Sequence, residues 1–159
     1  MKNFKAILAV MLTLVLSGCT AFSFDGSAIM CPPKATGSKA EIQKLIDKQT
    51  KGDYTLKYPK NGTNRSSIVL KDLDNDNEEE AIAFYSVLDE NTRINVLKNE
   101  KGKWISVYTA PGFYGDIQKV DFVKIDEKGP AVIIKWAQEI GIYRYEKEKL
   151  ESVYREICE

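Results

Sequence analysis

Two kinds of hydrophobic periodicity follow one another along this chain, and the change from one to the other predicts its elements. Residues 6–16 are apolar except for Thr13 and follow the basic head Met1-Lys2-Asn3-Phe4-Lys5. That order reads as a secretion-signal helix, and the run is too short for a permanent bilayer span. Residues 19–37 carry Gly26, the pair Pro32-Pro33 and no sustained period, which is the composition of a tether. Ile42, Leu45 and Ile46 then fall at helical spacing behind Ser38-Lys39-Ala40-Glu41, a capping-box sequence, and Gly52 supplies a stop. The spacing predicts a short amphipathic helix over residues 39–51. From there period two takes over. Tyr54, Leu56 and Tyr58 alternate with Thr55 and Lys57 and end at Pro59, the pattern of a strand. Asn61-Gly62-Thr63 and Asn64-Arg65-Ser66 fit the glycosylation acceptor pattern, but read here as turn chemistry in a loop.

Beyond this loop the chain repeats itself. The run Ile68 to Asp74 lines up with Val120 to Asp126, a shift of 52 positions from 68 to 120. Ile94 to Lys98 matches Ile142 to Glu146, and Trp104 to Tyr108 matches Leu150 to Tyr154, with shifts of 48 and 46 as the turns shorten. Asn99-Glu100-Lys101-Gly102 is a hairpin turn, and Lys147-Glu148-Lys149 replaces it in the second copy. Each unit reads strand, acidic loop, strand, hinge, strand, turn, strand, the content of a propeller blade. The inner strands, 81–87 and 131–136, are apolar on both faces, as in strands sandwiched between neighbouring sheets. The predicted fold is therefore mainly β: two four-stranded antiparallel blade-like sheets, over about 66–109 and 118–156, preceded by one short helix. Residues 1–18 form the signal, 19–37 the tether and 38–159 the domain.

Charge and composition narrow the function. Lys+Arg and Asp+Glu both number 23 with no basic run, so nothing argues for nucleic acid. The absence of histidine excludes Ser-His-Asp and Cys-His catalysis and imidazole-bound zinc. Leu16-Ser17-Gly18-Cys19 at the end of the apolar run resembles the lipobox of bacterial lipoproteins. The resemblance implies that Cys19 is lipid-modified and becomes the first mature residue, on the extracytoplasmic face of the cell membrane. Several acyl chains on one residue give lasting attachment where a single chain is marginal. The alternative is an ordinary cleaved signal that contains a cysteine. Cys31 and Cys158 remain, either as a bridge between the ends of the domain or as two unrelated thiols.

The strongest chemical signal is Asp72-Leu73-Asp74-Asn75-Asp76-Asn77-Glu78-Glu79-Glu80. Acids at alternate positions and at the ninth turn inward only if a cation offsets their repulsion, and calcium tolerates so irregular a cage better than magnesium. An EF-hand is rejected: Asn77 stands where glycine belongs, position twelve is Ala83, and the flanks are strand-like. The loop instead resembles the calcium loop, D-x-D-x-D-G-x-x-[DE], of FG-GAP or VCBS-type β-propeller repeats, over roughly residues 53–155. The resemblance implies that Asp72, Asp74 and Asp76 are side-chain ligands, Glu78 a backbone carbonyl ligand and Glu80 the closing carboxylate of one structural calcium. Asn77 replaces the family's glycine and is the next best residue for a left-handed turn. The implied affinity is that of extracellular modules, on the order of 10⁻⁴ M. In the second copy Lys124, Asp126, Lys128 and Val132 occupy the liganding positions, so no metal is expected there, with the lysines supplying fixed positive charge.

Trp104, Tyr108, Trp136, Tyr143 and Tyr145 repeat between the copies and read as core, whereas Phe113 and Tyr114 lie in Pro111-Gly112-Phe113-Tyr114-Gly115 and form a candidate contact loop. No second, separately placed acid accompanies the loop, so glycosidase-type catalysis is not expected. The expectation is a non-enzymatic, lipid-anchored envelope module with a protein or glycan ligand. The alternative is an accessory domain of an envelope enzyme such as a hydrolase, or a truncated relative of a longer propeller lipoprotein. Closed propellers have about four to eight blades, so two units imply a face-to-face sandwich, assembly of copies or a shortened gene.

Overall fold

A computed structural model describes residues 37–88, 91–113 and 115–157. The signal helix, the tether, Cys19, Cys31, Tyr114 and Cys158 lie outside the described residues. Among the described residues no helix is long and apolar enough to cross a membrane.

The helix α1 spans Ser38–Thr50 and buries Ile42 and Ile46. Its start differs from the capping-box expectation. Gly37 is the cap, its carbonyl accepting the Ala40 and Glu41 amides, and no side chain caps the helix. Ser38 already lies inside the first turn, so its hydroxyl is one residue too late to cap. The helix ends at Lys51, in the left-handed region, followed by Gly52 at φ 87°.

The first sheet contains β1 (Thr55–Leu56), β2 (Ile68–Lys71), β3 (Glu80–Ser86), β4 (Thr92–Glu100) and β5 (Lys103–Phe113). β1 and β2 share one edge of β3, Leu56 opposite Tyr85 and Ile68 opposite Ala83, so five strands fill four positions of an antiparallel sheet. The second sheet is the antiparallel meander β6 (Ile117–Asp126), β7 (Gly129–Trp136), β8 (Glu139–Glu146) and β9 (Lys149–Ile157). The turns Lys101-Gly102 and Lys147-Glu148 have positive φ at both residues, the mirror-image turn that matches strand twist.

The two sheets pack face to face on one core. Val69, Leu73, Phe84 and Val96 of the first meet Val120, Val132, Ile134 and Trp136 of the second. The other face of the first sheet carries Ala81, Ala83, Tyr85 and Leu97 against Ile42 and Ile46 of α1. Helix, sheet and sheet thus form three layers. The central position explains why β3 is buried along its whole length. β7 departs from the expected two-sided burial: Ile133 is half-buried and Lys135 exposed, because among the described residues no further layer covers that side. The loop before β2 guards the open edge of β6. Asn61 donates its amide to the Gln118 carbonyl at 2.8 Å, and the Asn64 side-chain amide donates to the Val120 carbonyl at 3.0 Å.

Candidate metal centre

The acidic loop joins β2 to β3 in the first sheet and is built by its own side chains. The Asp72 carboxylate accepts the amides of Asn75 at 2.7 Å and Asn77 at 3.1 Å. Asp74 accepts the Asp76 amide at 3.3 Å and Asp76 the Glu78 amide at 2.8 Å. Short acids that bond amides two to five residues on favour such turns over strand pairing. Asn75 and Asn77 take left-handed backbone at φ 63° and 67°, a conformation that asparagine tolerates better than most residues with a side chain.

Two further contacts hold the loop in place. Leu73 is wholly buried in the core between the sheets, and its amide donates to Glu80 Oε2 at 2.9 Å. From the second sheet, the β6–β7 turn docks on the loop: the Asn75 side-chain amide donates to the Glu127 carbonyl at 2.7 Å. Gly129 lies so close that a Cβ there would sit 2.1 Å from the Leu73 carbonyl oxygen. Glycine at 129 is therefore required by the approach of two backbones as well as by its own φ of 111°.

Asp72, Asp74 and Glu80 converge, with one oxygen from each within 4.8 Å of the others. Glu80 is wholly buried, and its Oε1 has no hydrogen-bond partner among the described residues. Burial pushes its carboxyl up to about 7, opposed by the Leu73 amide and reinforced by Asp74 and Asp76. Asp74 is raised as well, first by burial and then by Asp76. Asp76 shifts the other way because the Glu78 amide stabilises its charge. A carboxylic acid in such a place either keeps its proton or, once ionised, needs a cation beside it.

Among the expected ligands, Asp76 stands outside the converging group. Its carboxylate is exposed and faces Lys98 Nζ at 3.5 Å. The Glu78 side chain is exposed too, in keeping with a role for its carbonyl alone. Sequence reasoning missed Lys98 on β4 and Tyr145 on β8. Lys98 is raised by Asp74 and Asp76 against the effect of burial. Tyr145 is raised by burial and then by the charges of Glu80 and Asp74. Neither was readable locally, since the hairpin register and the sheet packing bring them to the loop.

In the second unit Asp126 accepts the Lys128 amide at 2.9 Å and pairs with Arg144 at 2.6 Å. Fixed positive charge thus comes first from Arg144 on β8 and then from Lys128, one of the two lysines the sequence points to. The aromatic residues fall mainly in the core: Trp104, Trp136, Tyr143 and Tyr145 are buried, and Tyr108 is partly so. Phe113 corrects an expectation. It closes strand β5, stacks on Trp136 with ring centroids 4.9 Å apart, and does not stand on an exposed loop.

Comparison of the chain with protein-family models, curated proteins and solved structures finds no match.

Proposed function

We propose that this chain is a non-enzymatic, lipid-anchored module of the bacterial cell envelope whose β sandwich is stiffened by one calcium ion. The observation that carries the calcium reading is the convergence of Asp72, Asp74 and Glu80 around a buried carboxylate with an unpartnered oxygen. An all-oxygen, irregular donor set suits a hard cation, and calcium more than magnesium. Asp72, Asp74 and Glu80 would hold the ion, with the Glu78 carbonyl and Asp76 completing the set once Asp76 exchanges Lys98 for it. The ion offsets repulsion among the acids and removes the burial penalty on Glu80; it carries no reaction. Because the same loop anchors Leu73 in the core and bonds Glu127, ion binding secures the contact between the sheets.

Calcium titration calorimetry on the domain tests this reading. Binding near 10⁻⁴ M is expected, and Asp74→Ala removes it; no heat at millimolar calcium overturns the reading. The anchor reading rests on Leu16-Ser17-Gly18-Cys19. Metabolic labelling with a radiolabelled fatty acid should mark the wild-type chain and leave Cys19→Ser unlabelled. Equal labelling of both would refute the lipid attachment.

A further inference from the structure

The face-to-face packing is incomplete where β5 and β9 border it. A cavity of about 200 Å³ lies there, walled by Ile94, Tyr108 and Phe113 from the first sheet and by Tyr143, Leu150 and Arg155 from the second. A dry cavity of about 150 Å³ is enough to take up benzene. This one is partly open to solvent, and its volume matches a single aromatic ring with a polar substituent toward the opening.

Its walls fix the character of the occupant. Phe113 is stacked on Trp136 and meets Tyr143 edge-on at 6.2 Å, so the aromatic lining is rigid. Tyr143 is only 5 % exposed; its hydroxyl oxygen lies beside the Trp136 indole N–H, and its own proton has no acceptor among the described residues. A buried donor left unsatisfied is destabilising unless something else accepts from it. The ring lies back across Gly141, where an added Cβ would fall 2.4 Å from the hydroxyl oxygen. At the rim, the Arg155 guanidinium sits 5.8 Å from the centre of the Phe113 ring. Glu139 pins it through Nη2 at 2.7 Å and through an ion pair with Nε. Those contacts leave the Nη1 corner of the fork for a second acceptor.

We propose that this cavity binds a small aromatic carboxylate. Its ring lies among Tyr108, Phe113 and Leu150, and its carboxylate accepts hydrogen bonds from the Tyr143 hydroxyl and Arg155. The cavity is separate from the acidic loop, so the proposal does not depend on calcium.

Ligand-observed NMR on the full chain tests it, with benzoate, benzyl alcohol and acetate as probes, each with and without added calcium. Benzoate should bind saturably, benzyl alcohol about tenfold more weakly, and acetate not at all. Arg155→Gln and Tyr143→Phe should each weaken benzoate about tenfold, and Arg155→Gln should weaken benzoate more than it weakens benzyl alcohol. The Arg155 side chain is 58 % exposed but its partner Glu139 only 16 %, so a thermal melt of Arg155→Gln accompanies the titration to separate lost binding from lost stability. The proposal is overturned if benzoate fails to bind at 10 mM, roughly the weak limit for a single-ring ligand. It is equally overturned if acetate competes as well as benzoate, or if both variants bind benzoate like wild type.

Discussion

Glu80 concentrates the physics of the loop in one side chain. In the ion-free protein its pKa is about 7, against an ordinary 4.5. Between these values the folded chain keeps a proton that the unfolded chain has released, so stability falls as pH rises through that window and levels off above it. The loss approaches about 3 kcal/mol at most, readable as the change in denaturant midpoint between pH 4.5 and 8 in chelator. Calcium requires the ionised form, so its affinity should drop by up to tenfold per unit below pH 7. Glu80→Gln separates the two effects. It should remove the Glu80 share of the pH-dependent loss in chelator, leaving that of Asp74, and also abolish the stabilisation by calcium. In the wild type, 10 mM calcium should raise the melting temperature by about 10 °C, given a dissociation constant near 10⁻⁴ M. A Glu80→Gln protein that still responds to calcium would remove Glu80 from the site.

At the scale of elements, the turns and the docking of one loop on another set the register. Glu148 occupies a left-handed position at φ 64°, equivalent to Gly102 in the first unit. Replacing it with glycine relieves a backbone cost of about 1 kcal/mol, partly offset by chain entropy, so Glu148→Gly should stabilise by roughly 0.5 kcal/mol in urea melts. Gly129 has the opposite sensitivity. A Cβ there collides with the Leu73 carbonyl oxygen, so Gly129→Ala should cost about 2–4 kcal/mol and weaken calcium binding as the loop is displaced. Thermal melts and calorimetry of the variant check both parts. These elements also show how far the sequence could be read. The strands of both units, the two hairpin turns, the helix and the unusual Asn77 were legible because each is a local pattern of period, turn chemistry or backbone preference. Arg144 beside Asp126, Lys98 beside Asp76 and Tyr145 beside Glu80 were not, because those meetings depend on strand register and on which sheet faces which. Phe113 was misplaced for a related reason: the glycine and proline before it read as a loop, while stacking on Trp136 holds it at the end of a strand.

For the molecule as a whole, the number of units decides the architecture. Two blade-like sheets cannot close a ring, and they turn their apolar faces toward each other instead, sharing Leu73, Phe84, Val132 and Trp136 in one interior. The helix covers the face of the first sheet that the partner sheet does not reach. The two similar halves are therefore unequal: one keeps the acidic cage, and the other supplies the turn that presses on it. Each half alone would present a bare greasy surface to water. A chain severed between Gly115 and Asp116 should accordingly give two pieces that are unstructured apart and regain β circular dichroism only on mixing, with calcium tightening their reunion.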